Sequence, residues 1–134
     1  MFNMEKDWIY IGIFLDSLSR ARLRMIFGIP ENWKLHVDHV TLCFNDGSEL
    51  SKVAAEINKR FVGIECNFNI TGIGISENAM ALRVQLPSGV VCTNKVAHIT
   101  IGCKNQPVDS NAIEIWHDIE ELTLCGKIDV FPSK

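Results

Sequence analysis

The sequence predicts an α+β fold built on a largely antiparallel sheet. Three observations predict it. Residues 64–75 alternate apolar and polar side chains, the period of a half-exposed strand. Two stretches, 16–27 and 49–61, instead place apolar residues at helical spacing behind good capping residues. The last four strand-like runs follow one another with no helical pattern long enough to cross a parallel sheet. The element order is β-α-β-α-β-β-β-β, in which helices cover one side of the sheet.

Residues 8–15, Trp-Ile-Tyr-Ile-Gly-Ile-Phe-Leu, are β-branched and aromatic, and read as a buried strand. Asp16 and Ser17 offer an N-cap to a helix running to about Phe27. Leu18, Ala21, Leu23, Met25 and Ile26 supply its apolar stripe, and Arg20, Arg22 and Arg24 face solvent. Gly28 and Pro30 stop it. A strand over about 37–44 follows, then the turn Asn45-Asp46-Gly47-Ser48. The helix at 49–61 turns Leu50, Val53, Ala54, Ile57 and Phe61 to one side, and Gly63 ends it. Strands at 64–75 and 79–86 form a hairpin through Ser76-Glu77-Asn78. A further strand covers 96–103, a polar loop spans 105–110, and 111–118 suits a short helical turn. The closing strand, 119–131, carries Gly126 at a bulge position.

Two of these strands contain the same tetrad: His39-Val40-Thr41-Leu42 and His98-Ile99-Thr100-Ile101. Alternate residues of a strand share a face. Each tetrad therefore buries its aliphatic pair and presents an imidazole beside a hydroxyl. An imidazole is the side chain whose unperturbed pKa lies nearest neutrality. Two of them form an acid/base pair, one taking a proton from water and one giving a proton to a leaving oxygen. The hydroxyls can donate to non-bridging phosphate oxygens as charge develops. Attack on a phosphodiester is the chemistry this suits.

The rest of the chain bounds the choice. Its 134 residues suit one domain, 47% apolar and 22% charged. The formal charge of −3 argues against tight nonspecific binding to long nucleic acid, and leaves a small phosphate-bearing substrate open. The five cysteines form no CxxC pair. Early charges at Glu5, Lys6 and Asp7 interrupt any signal-like run, and no apolar stretch is long enough for a membrane span. Reduced thiols in a cytoplasmic protein, a monomer with no membrane contact, are expected.

The paired tetrads resemble the signature of the two-histidine (2H) phosphoesterase superfamily. The order of elements around them, and the closing Leu124-Cys125-Gly126-Lys127-Ile128, are similar too. The connection carrying Asn94-Lys95 and the stretch Pro107-Val108-Asp109-Ser110-Asn111 look most like the cyclic phosphodiesterase domain of plant- and fungal-type tRNA ligases. The resemblance implies one domain over 1–134 with a two-lobed, LigT-like fold, antiparallel sheets around a central cleft and helices outside. It implies catalysis by His39 and His98, phosphate binding by Thr41 and Thr100, and no metal or other cofactor. It also implies RNA ends or small nucleotides carrying a 2′,3′-cyclic phosphate as partners. Two alternatives remain: cleavage of 2′–5′ or cyclic signalling oligonucleotides by the same groove, and a non-catalytic module that binds RNA ends.

Other residues carry weaker expectations. His36 stands three before His39 and Lys95 three before His98, so both are candidate substrate contacts. Tyr10 and Trp33 are candidates for stacking on a base. Arg83 alternates outward and His117 has no motif around it. Cys43 shares the His39–Thr41 face by simple alternation, which raises zinc as a third possibility, although Cys and two His give three ligands only.

Overall fold

The computed structural model describes residues 8–132. Seven strands and two α-helices follow in order: β1 (Tyr10–Leu15), α1 (Ser17–Ile26), β2 (Lys34–Leu35), β3 (His39–Phe44), α2 (Glu49–Asn58), β4 (Glu65–Ile75), β5 (Ala79–Gln85), β6 (His98–Cys103) and β7 (Trp116–Phe131). Short 3-10 turns occupy Lys59–Phe61 and Pro107–Ala112. The second covers part of the expected turn at 111–118, and β7 starts three residues earlier than the sequence suggests.

The strands close into a barrel, which corrects the expected two-lobed arrangement of sheets around a cleft with helices outside. Around the ring the order is β6-β3-β1-β7-β4-β5, and β5 pairs again with β6. Every pairing is antiparallel. Two features produce closure. The 16-residue β7 is long enough to pair with β4 from Trp116 to Lys127 and with β1 from Gly126 to Phe131. Strand β6 uses one edge for β5 and the other for β3 and β2 in turn. A closed ring leaves no unpaired edge among its members. Ile11, Ile13, Val40, Leu82, Ile99, Ile101, Leu124 and Ile128 are fully buried and form the core.

Because the barrel buries its own apolar interior, the helices contribute less than their sequences suggest. In α1 only Ser19 and Leu23 are buried, while Leu18, Met25 and Ile26 lie exposed. In α2 the buried residues are Ser51, Ala54, Ala55 and Asn58, and Leu50 and Val53 face outward. The caps are as read: Asp16 accepts from the Ser19 N–H at 2.7 Å, and Ser48 Oγ accepts from the Ser51 N–H at 3.2 Å. Gly126 sits in regular register between Leu15 and Cys66 and is no bulge. A Cβ there would lie 2.8 Å from the Phe14 carbonyl, so it marks a close approach of two strands.

Two irregularities shape the barrel near the tetrads. Ile11 pairs with Cys43 but Gly12 pairs with Thr41, so Leu42 is an extra residue in β3. The bulge reverses the alternation beyond it. Cys43 turns into the core, fully buried, and Phe44 takes the outer face. The expected grouping of Cys43 with His39 and Thr41 is thereby overturned. Between β2 and β3, Val37 adopts φ +87°, a strained value for a β-branched residue. Its N–H still donates to the Thr100 carbonyl at 3.0 Å, which keeps the segment along the β6 edge.

Candidate active site

β3 and β6 meet at a single pair, Val40 with Ile99, both fully buried. On either side of it the antiparallel strands set His39 across from Thr100 and Thr41 across from His98. All four side chains line one cleft of about 230 Å³ on the outer face of the barrel. Tyr10 and His36 line it as well. Lys95 does not; it lines an adjoining cavity. Trp33 and His117 line neither.

Each imidazole is held by a different device. His39 Nε2 lies 3.1 Å from Thr41 Oγ1, its partner two residues on. Tyr10 stacks on its ring with centroids 4.8 Å apart, and Phe14 flanks it at 5.5 Å. Room for this stack comes from Gly12, where a Cβ would lie 2.7 Å from the Val40 carbonyl and 3.6 Å from the His39 ring. His98 Nδ1 lies 2.8 Å from the Val96 carbonyl. A carbonyl only accepts, so Nδ1 carries the hydrogen and Nε2 of the neutral ring keeps a free lone pair. Thr100 Oγ1 lies 2.8 Å from Ser110 Oγ, which the 3-10 turn brings over β6 and buries. If Ser110 donates, the Thr100 hydroxyl hydrogen is available to a ligand.

Burial lowers the pKa of both histidines below the ordinary 6.5. For His39 the Asp38 carboxylate works against burial, and charge on His36 or His98 adds to the lowering. For His98 the Val96 carbonyl works against burial. Tyr10 is pushed up to about 12, first by burial and then by Asp38. Among the described residues no lysine or arginine lines the cleft, and its walls are largely apolar, with Tyr10, Phe44, Pro107 and Val108 around the polar centre. His36 Nε2 is buried there with no hydrogen-bond partner.

Sequence reasoning missed several members. Asp38 adjoins His39 but carries no motif, and Phe44 enters only because of the Leu42 bulge. Asn94 arrives on a loop, and Pro107, Val108 and Asn111 arrive on the second 3-10 turn. Asn58 anchors the loop: its amide donates to the Val91 carbonyl at 2.9 Å and accepts from the Val91 N–H at 3.0 Å. Arg83, expected in solvent, is half-buried and bonded to Thr71 and Asp118.

No helix among the described residues is long and apolar enough to cross a membrane. No curated protein matches the chain in sequence. Among solved structures it is similar to a fungal RNA kinase structure, with a TM-score of 0.63 at 16% identity. The match covers 96% of this chain and 47% of that one, so this chain spans about half the length of that protein. At that identity the likeness concerns the fold alone. The family described as the fungal tRNA ligase phosphodiesterase domain matches residues 29–122, a span that includes both histidine strands. With most of its length inside that match, the chain belongs to the family of fungal tRNA ligase phosphodiesterase domains.

Proposed function

We propose that this protein is a metal-independent phosphodiesterase that opens 2′,3′-cyclic phosphates at RNA ends or on nucleotides. The observation that carries the reading is the convergence of His39, Thr41, His98 and Thr100 on one cleft. Water attacks phosphorus while one imidazole removes its proton. The bond from phosphorus to one ribose oxygen breaks, and the other imidazole protonates that oxygen. The free lone pair of His98 Nε2 suits the base, which leaves His39, its charged form opposed by burial and favoured by Asp38, as the acid. Thr41 and Thr100 donate to the non-bridging oxygens. A cleft to which the described residues bring no lysine or arginine matches a cyclic diester, which carries one negative charge, better than the doubly charged monoester it becomes. That difference favours product release.

The test is hydrolysis of nucleoside 2′,3′-cyclic phosphates in EDTA. His39→Ala and His98→Ala should each lower kcat by about 10²–10⁴. Thr41→Val and Thr100→Val should each cost about 10²-fold. Full activity in either histidine variant overturns the assignment.

A further inference from the structure

The segment from His36 to Asp38 is fastened on both sides at one end of the cleft. The His36 N–H donates to the Ile101 carbonyl at 2.7 Å, and the Val37 N–H to the Thr100 carbonyl at 3.0 Å. Towards β1, the Asp38 carbonyl accepts from the Leu15 N–H at 3.0 Å. The Val37 side chain is fully buried, and His36 and Asp38 on either side of it both line the cleft. Holding this arrangement takes Val37 to φ +87°, the kind of strain that collects at ligand sites. His36 Nε2 is buried without a hydrogen-bond partner, a cost that a bound ligand removes. Asp38 is exposed, and among the described residues no lysine or arginine forms an ion pair with it. The hydrolytic step described above gives His36 no task and uses Asp38 only through its charge beside His39.

We propose that His36 and Asp38 read the base of the substrate and select guanine. The inference rests on the phosphodiesterase reading and adds base specificity to it. In phosphoryl transfer the attacking and leaving oxygens lie roughly in line. With the water at His98, the leaving oxygen lies at His39, and the ribose that bears it lies on the side away from His98. Along β6 the order is His98, Thr100, Ile101, so the contact of His36 with Ile101 falls at that far end. Pro107 and Val108, in the same cleft, give a flat ring apolar contact. Guanine presents the O6 acceptor beside two donors, N1–H and the N2 amino group. An imidazole with its hydrogen on Nε2 donates to O6, and one carboxylate accepts from N1–H and N2–H together. Adenine and cytosine each offer the carboxylate one amino group. Uracil offers a single N–H flanked by two carbonyls, which the carboxylate repels. Guanine therefore makes the most bonds with this pair.

The experiment measures kcat and KM on the 2′,3′-cyclic phosphates of guanosine, adenosine, cytidine and uridine. Wild-type protein should show its highest kcat/KM on guanosine, about tenfold above adenosine and cytidine and further above uridine. Asp38→Asn, an isosteric change at an exposed position, replaces one acceptor oxygen with a donor. It should lower turnover on all four through His39 and bring the guanosine preference to within about twofold. That preference is a ratio within one protein, so a general loss of activity cancels. His36→Ala should raise KM for guanosine about tenfold and lower kcat by less, because base contacts act before and during reaction alike. Equal use of the four by wild type, or preference for another base, overturns the base reading while the phosphodiesterase reading stands. So does a preference untouched by Asp38→Asn, or a His36→Ala defect confined to kcat. Absence of turnover on all four sinks the phosphodiesterase reading, and the base reading with it.

Discussion

Tyr10 lies against His39 ring to ring, with centroids 4.8 Å apart and planes 22° from parallel. One residue comes from β1 and the other from β3, and Gly12 between them leaves the space for contact. The π face of Tyr10 favours an imidazolium over it, which opposes the effect of burial on His39. It also confines the ring to the orientation that meets Thr41. Tyr10→Phe keeps the face and should retain kcat within about twofold. Tyr10→Leu removes it and should lower kcat about three- to tenfold, the size of a partly exposed cation–π contact.

Tyr10 is the chain's single tyrosine, so its titration can be read without interference. In the folded protein phenolate absorbance should rise with a midpoint of about 12, against the ordinary 10.0. The sign for stability follows. A folded pKa above the unfolded one contributes stability that is complete below pH 10 and lost as pH rises towards 12. A midpoint near 10 before unfolding would show that the ring is not buried in the cleft.

The pH dependence of turnover tests the histidine pair. Activity needs one imidazole neutral and the other protonated, which makes a bell. Both pKa values lie below 6.5, so the kcat/KM optimum should fall on the acid side of 6.5. Stability runs the other way. The unfolded chain binds more protons than the folded one as pH falls through 6.5, so stability present above 6.5 declines below it. Thermal midpoints of wild type should drop in that window, and His98→Gln should flatten the drop.

Asn58 is fully buried in α2 and ties down the loop that carries Asn94. Asn58→Ala leaves the Val91 N–H and carbonyl without those partners. It should cost about 2–4 kcal/mol by denaturant titration, since unmade buried hydrogen bonds cost about 1–3 kcal/mol each. A loss under 0.5 kcal/mol, well below that range, would mean the loop is held by other contacts.

Gly12→Ala would drive a methyl group to 2.7 Å from the Val40 carbonyl, a backbone atom in the strand that bears His39. Overpacking of this kind should cost about 1–3 kcal/mol and lower kcat together with stability. Gly28→Ala, with nothing within 4 Å, is the matched control and should change neither.

Much of the site was legible because strand alternation is a local property. His39 with Thr41, and His98 with Thr100, share a face for the same reason that Val40 and Ile99 go inward. Alternation fails where an extra residue enters, and no local signal marks Leu42 as that residue. Cys43 was therefore placed on the wrong face and Phe44 went unnoticed. Asp38 escaped because no motif marks it, and Asn94 and Ser110 because a loop carries the first to the cleft and a 3-10 turn carries the second to Thr100 through contacts distant in sequence.

The amino-acid order by itself determined the two His-x-Thr strands, the helix caps and the apolar runs that make the interior. Tertiary structure alone decided that the strands close into a ring, that both tetrads reach one cleft and that Lys95 lies in the cavity beside it. The reason is physical. Side-chain direction within a strand depends on neighbours one or two residues away, whereas pairing β6 with β2, β3 and β5 depends on which distant edges bury the most apolar surface together.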